Sequence, residues 1–242
     1  MRNLIKAEWF KLSKSRGFKT LLLCNAASLF STLCLVAMGA KGTGYDMYII
    51  ALTYILHHAV IGYLFAAVFL CVEFSNRTFG MSLLCGHSRR KIFLSKAFVF
   101  LAGLLLLFLV YTGMTTVVVS IANGFGERIC PETCQNAIFL LFYGVLGYAA
   151  MGAVMILVAV IAKRAIVTIG AGIGITYSLL WAETNLSEAL LPFLRYSYSY
   201  QIGQLAFLGQ EFSIGTFVMV MVLTLLLALS AATVIFERME LK

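Results

Sequence analysis

The chain has 242 residues, of which 62% are hydrophobic and 12% charged, with a mean hydropathy of +0.97 and a formal net charge of +8. Soluble domains carry about 45–50% apolar and about 25% charged residues, so this composition excludes a soluble enzyme or binding module and predicts an all-α polytopic membrane protein. In such a protein, excess positive charge belongs to loops that hold orientation, so nucleic acid is not an expected partner.

In chain order, residues 1–19 place Arg2, Lys6, Lys11, Lys14, Arg16 and Lys19 against the single acid Glu8. On a helical wheel Leu4, Ile5, Trp9 and Leu12 share a face. The segment therefore predicts a basic amphipathic helix lying in the membrane surface. Glu8 falls within the apolar face, where it either pairs with Lys11 or turns to a protein partner.

Six charge-free runs follow, each near the roughly 20 residues that a helix needs to span. They predict spans at about 20–40, 47–72, 97–122, 137–162, 165–182 and 212–236 of one transmembrane domain. Pro131 marks the interruption between the third and fourth runs. Lys163-Arg164 makes a tight turn between the fourth and fifth. The fifth run carries Gly170-x-x-x-Gly174, a spacing that lets helices approach closely. Residues 183–211 are too polar to span and too apolar for a solvated linker. They predict re-entrant or amphipathic helices at the outer interface, with Tyr196, Tyr198 and Tyr200 at headgroup level.

Six spans put both termini on one side. Of the 18 Lys and Arg residues, only Lys41, Arg128 and Arg195 fall on the other. The acids run the opposite way, with Asp46, Glu127, Glu132, Glu183, Glu188 and Glu211 on the side poor in cations. The positive-inside rule then places both termini in the cytoplasm of a plasma membrane. Residues 73–96 form the most basic loop of the first half, with Arg77, Arg89, Arg90, Lys91 and Lys96 against Glu73.

The sequence contains neither a G-x-x-x-x-G-K-[ST] phosphate loop nor an H-E-x-x-H helix. His57 and His58 lie inside the second run, where ionisable groups are costly. Neighbouring helical residues point about 100° apart, so the pair is poorly placed to ligate one metal. They read as hydrogen-bonded packing residues or as part of a substrate path. Cys130 and Cys134 flank a short loop and can form a disulfide only in an oxidising compartment. Their spacing is half a metal site without a second half, so no metal site is expected. No span holds an acid near its midpoint, which argues against an ion-coupled pump. The few Ser, Thr and Asn residues in the spans suit a large amphipathic substrate better than a small ion.

Glu73 closes the second span and is followed by Arg77-Thr78. Gly86-His87-Ser88-Arg89 comes next, and Ile92-x-x-Ser95-Lys96 opens the third span. This order resembles the membrane subunits of ABC-2-type transporters, in which a Glu ends the second span and a short cytoplasmic helix, a Ser-Arg turn and a Lys follow. Glu8-x-x-Lys11-Leu12 resembles the Glu-x-x-Lys of the family's entry helix. The six-span layout and the outer segment before the last span match too. The Gly-His-Ser-Arg form is similar to the branch linked to antimicrobial-peptide resistance or bacteriocin immunity in bacteria. The resemblance implies that two permease subunits, alike or different, stand on two separate ATPase subunits that hold ATP and Mg. The chain itself would then need no cofactor and would not be an enzyme. Coupling to the ATPase would fall to Glu73, Arg77, Gly86, His87, Ser88, Arg89, Arg90 and Lys96, beside Glu8 and Lys11 of the interfacial helix. Arginines there suit docking because they are fixed donors to acidic groups, although the same charges also enforce topology and meet anionic lipid.

Two rival readings remain. A membrane-embedded enzyme would need paired acids, a Ser–His pair at matched depth or a metal set, none of which the sequence offers. A non-transporting sensor or assembly subunit would carry the same loop.

Overall fold

A computed structural model of the chain describes residues 1–37, 42–76, 86–126, 130–185, 194–205 and 213–239. The described residues form helices: α1 (Arg2–Lys14), α2 (Arg16–Ala37), α3 (Gly44–Thr53), α4 (Ile55–Ala66), a π-helical turn (Ala67–Cys71), α5 (Val72–Ser75), α6 (Arg89–Asn123), α7 (Pro131–Ala162), α8 (Ala165–Asn185), α9 (Tyr198–Gln204) and α10 (Ile214–Arg238). Five segments are long and apolar enough to cross a membrane: Ile55–Ser75, Arg89–Asn123, Pro131–Ala162, Ala165–Asn185 and Ile214–Arg238. The expected first span falls in α2, which is helical but is not one of those five.

Local chemistry explains where most helices begin. Ser15 is extended between α1 and α2, and its Oγ accepts the Phe18 amide at 3.3 Å, so one residue both ends α1 and starts α2. Thr43 and Asp46 form a reciprocal capping box at the head of α3, with the Thr43 amide on Asp46 Oδ2 at 2.9 Å. Pro131 is the first helical residue of α7, where its missing N–H costs nothing. It therefore opens α7 as well as interrupting the run before it.

The uninterrupted run 47–72 is not one helix. It breaks at Tyr54, whose ψ of 69° is non-helical, and the chain resumes as α4. A break in a helix frees backbone carbonyls, which must find new partners where they are buried. His58 supplies one: its Nε2 lies 3.1 Å from the Ala51 carbonyl, on the other side of the break. The contact requires the proton on Nε2.

The helix that carries the expected span at 97–122 starts earlier, at Arg89, so Lys96 lies two turns inside a helix and not in a loop. Gly86 precedes that helix with a φ of 80°, a left-handed conformation that glycine adopts without strain. Lys163 takes the same region at φ 56° to close α7, as the tight turn demands.

The core is aromatic and runs along α4, α6 and α7. Phe65 and Phe100 stack at 4.8 Å, with Phe18 at 5.3 Å and Phe69 at 5.5 Å from Phe65. Gly103 of α6 makes room for this stack, since a Cβ there would meet the Phe65 ring at 2.8 Å and Leu12 at 3.1 Å. Leu12, fully buried, pins α1 against α6. The expected Gly170-x-x-x-Gly174 contact is not formed within the chain: both glycines face open space. Gly172 is the packed residue of α8, where any side chain would overlap the Tyr63 ring.

Candidate functional site: a buried charge cluster

Glu8, Lys11, Glu73 and Lys96 come from three separate segments and meet at one end of the bundle. Lys96 Nζ lies 2.5 Å from Glu8 Oε2 and 2.7 Å from Glu73 Oε1. Lys11 Nζ lies 2.8 Å from Glu8 Oε1 and 3.7 Å from Glu73 Oε1. Each carboxylate is therefore shared by both ammonium groups, and the four charges cancel.

Burial decides what this cluster costs. Lys96 is 1% exposed and Glu8 6%. An isolated charge at such a site would lose its hydration with nothing in return. Here Lys96 has two carboxylates, and its Nζ also lies 5.0 Å from the centre of the Phe69 ring. Lys11 is half-exposed and closes the cluster toward solvent. Burial pushes the Glu8 carboxyl up, but the charge of Lys96 and the hydrogen bonds from Lys11 and Lys96 outweigh it and hold the group below its ordinary range. Burial likewise pushes Lys11 down, and the hydrogen bond and charges of Glu8 and Glu73 outweigh it and raise the group. Glu8 thus turns inward to Lys96 as well as to Lys11.

The geometry makes one mechanical unit of segments distant in sequence. Glu73 lies in α5, at the entry to residues 76–88. Lys96 lies two turns beyond their exit, and Glu8 belongs to α1. The charges that join these segments cannot separate without being left buried and unpaired.

Arg89 sits elsewhere. Its Nη1 donates to the carbonyls of Met239 at 2.7 Å and Glu237 at 3.1 Å. It caps the C-terminal end of α10, where the helix dipole favours a cation. Phe93 stacks on Phe236 at 5.0 Å just inside this contact, and Phe74 meets the same ring at 6.3 Å. Gly86, His87, Ser88 and Arg90 are exposed beside it. Arg77 and the short helix expected after it lie outside the described residues.

His57 and His58 belong to a second polar group in the middle of the bundle. The Asn25 amide donates to the Leu107 carbonyl at 2.7 Å, which leaves Asn25 Oδ1 to accept from His57 Nε2 at 3.0 Å. The His57 ring stacks on Tyr111 at 4.2 Å. His58 is buried and packs on Tyr148 at 4.5 Å. Both rings serve helix packing in this conformation. Cys130 and Cys134 are not bridged in this structure. Cys130 is the N-cap of α7, and its Sγ accepts the Thr133 amide at 3.5 Å. Asn25 stood in the sequence only as one of several polar residues in a span. The cue to its role was that a buried amide in lipid must find partners.

The five long apolar helices define a polytopic helical membrane protein. Residues 4–180 match the family described as ABC-2 family transporter protein, and the chain belongs to that family. It is accordingly a permease subunit of an ABC transporter, for which the family implies an ABC ATPase as partner. No curated protein matches the chain. The family match covers the charge cluster and the break at Tyr54, and ends before α9 and α10.

Proposed function

We propose that this permease subunit couples ATP hydrolysis on separate cytoplasmic ATPase subunits to export of an amphipathic substrate, such as an antimicrobial peptide, a drug or a lipid-like molecule. The observation that carries this reading is the Glu8–Lys96–Glu73 cluster. It joins the surface helix to both ends of the loop that the family resemblance identifies with ATPase docking. A push on residues 76–88 is then delivered to α1 through the cluster and to α10 through Arg89. ATP drives such a motion only if the closed ATPase pair favours one membrane conformation over the other.

In this reading α2 is a sixth span, both termini are cytoplasmic and α9 stands at the outer surface. The positions of the cations support it: Arg89 at the start of α6 meets the end of α10, where Arg238 lies, and α1 lies at the same end. A second permease subunit, alike or homologous, completes the path in a bacterial plasma membrane. ATP and Mg reside on the partner, and this chain performs no hydrolysis itself.

The test is reconstitution with the ATPase subunit. Arg90→Glu alters an exposed charge of the loop and leaves the buried cluster intact. It is expected to lower substrate-stimulated ATP hydrolysis without changing the thermal midpoint of the permease. Unaltered ATPase binding and stimulation in that variant would remove the docking role from this part of the loop.

A further inference from the structure

From Arg16 to Phe30, α2 buries one face and exposes the other. Phe18, Leu21, Asn25 and Leu29 turn into the bundle and are at most 7% exposed. Arg16, Lys19, Leu23, Ala27 and Phe30 are all exposed. At about 100° per residue these five lie within about 80° of one another, on the side away from the bundle. The face changes character once along its length. Its first turn holds the two cations, and the turns that follow present Leu23, 71% exposed, and Phe30, 72% exposed. From Lys19 to Phe30 the helix rises roughly 16 Å at about 1.5 Å per residue. The hydrocarbon of one leaflet is about as deep, half of about 30 Å.

The cations at the head of this face have no acid to meet. Arg16 and Lys19 are three residues apart and are neighbours on the helix surface. Lys14, exposed at the end of α1, comes just before them. Among the described residues, the ion pairs join Glu8, Lys11, Glu73 and Lys96 and include none of these three. Glu8 is the one acid in residues 1–45, and Lys96 and Lys11 already hold it.

We propose that this face of α2 binds an anionic phospholipid, with the phosphate on Arg16 and Lys19 and an acyl chain along Leu23, Ala27 and Phe30. The arginine presents fixed N–H donors to phosphate oxygens and the lysine adds a point charge. Charge complementarity at the first turn alone would also suit an acidic protein. Such a partner would leave Leu23 to Phe30 uncovered, whereas a phospholipid matches both the cations and the apolar length beyond them. The site shares with the proposed function the placement of α2 in the bilayer, and it stands whether or not the charge cluster transmits ATP-driven motion.

The experiment uses the full-length protein in phosphatidylcholine nanodiscs with a trace of phosphatidylglycerol that carries a photoreactive acyl chain. Peptide mass spectrometry locates the adducts. Adducts within residues 20–30 are expected, and added unlabelled phosphatidylglycerol should displace them. Arg16→Gln combined with Lys19→Gln should weaken this lipid binding about 25-fold, or about fivefold for each cation removed. Arg16→Lys combined with Lys19→Arg keeps both charges and should retain most of it. In the same discs Cys24, which is exposed on α2, should resist a membrane-impermeant maleimide. Labelling of Cys24 would take α2 out of the bilayer and overturn this site together with that placement. With Cys24 protected, adducts that phosphatidylglycerol does not displace would overturn the site alone. So would equal binding by the Gln variant or an equal loss in the charge-conserving one. Loss of ATPase binding by the Gln variant, with its lipid binding intact, would assign the cations to the ATPase and overturn the proposal as well.

Discussion

Lys96 Nζ meets Glu8 Oε2 across 88 positions of sequence, at 2.5 Å and out of contact with solvent. The pair fixes α1 to α6, and its charges have no cheap alternative. Replacing Lys96 by Met leaves Glu8 and Glu73 facing each other with only Lys11 between them. The expected loss is about 3–5 kcal/mol, the usual cost of removing one partner of a buried pair. Glu8→Gln combined with Lys96→Met should cost less than the two single changes summed, by about 0.5–3 kcal/mol. Thermal denaturation of the four proteins measures this, and strict additivity would show that the two residues do not interact.

The cluster also sets a pH response. Glu8 is lowered in the folded protein, so its contribution is complete above the ordinary glutamate value of 4.5 and is lost as pH falls through the lower folded value. Lys11 is raised, so its contribution is complete below 10.5 and is lost as pH rises through the higher folded value. Stability attributable to these groups should therefore be level between those limits and fall outside them. In Glu8→Gln the acid limb of the stability profile should flatten, and an acid limb identical to wild type would assign it to other carboxylates.

His58 replaces a hydrogen bond that the break at Tyr54 removes. His58→Phe keeps the ring against Tyr148 but leaves the Ala51 carbonyl unsatisfied. The expected cost is about 1–3 kcal/mol, with faster amide exchange on both sides of Tyr54. If exchange there is unchanged, the carbonyl has another partner.

Arg89 and Arg90 are neighbours with different work. Arg89→Ala removes two hydrogen bonds to the end of α10 and should cost about 1.5–3 kcal/mol, with increased exchange at residues 236–239. Arg90→Ala should stay within about 0.5 kcal/mol, as exposed substitutions do. Equal effects of the two would contradict the separate placement of their side chains.

Much of this protein was legible in its residues. The apolar runs predicted most of the long helices, because a bilayer demands length and apolarity whatever the packing. The order of Glu73, Ser88-Arg89 and Lys96 led to the ABC-2 family that residues 4–180 match. The break at Tyr54 was hidden, since hydropathy does not register a backbone turn whose freed carbonyl is met by a side chain seven residues on. Gly170 and Gly174 fit a packing motif, yet Gly172 is the residue that packs, because the helix face turned to Tyr63 is set by its neighbours.

What the sequence alone determined is the solvent of this protein. That follows from composition, since transferring charge and peptide groups into lipid is costly in any arrangement. Only the tertiary structure decided that Lys96 is no loop cation. Its helix starts two turns early, at Arg89, and carries the ammonium group inward. At that depth Glu8 and Glu73 are the groups that make its burial tolerable. A pairing of this kind depends on which helices are neighbours, and no spacing along the chain encodes it.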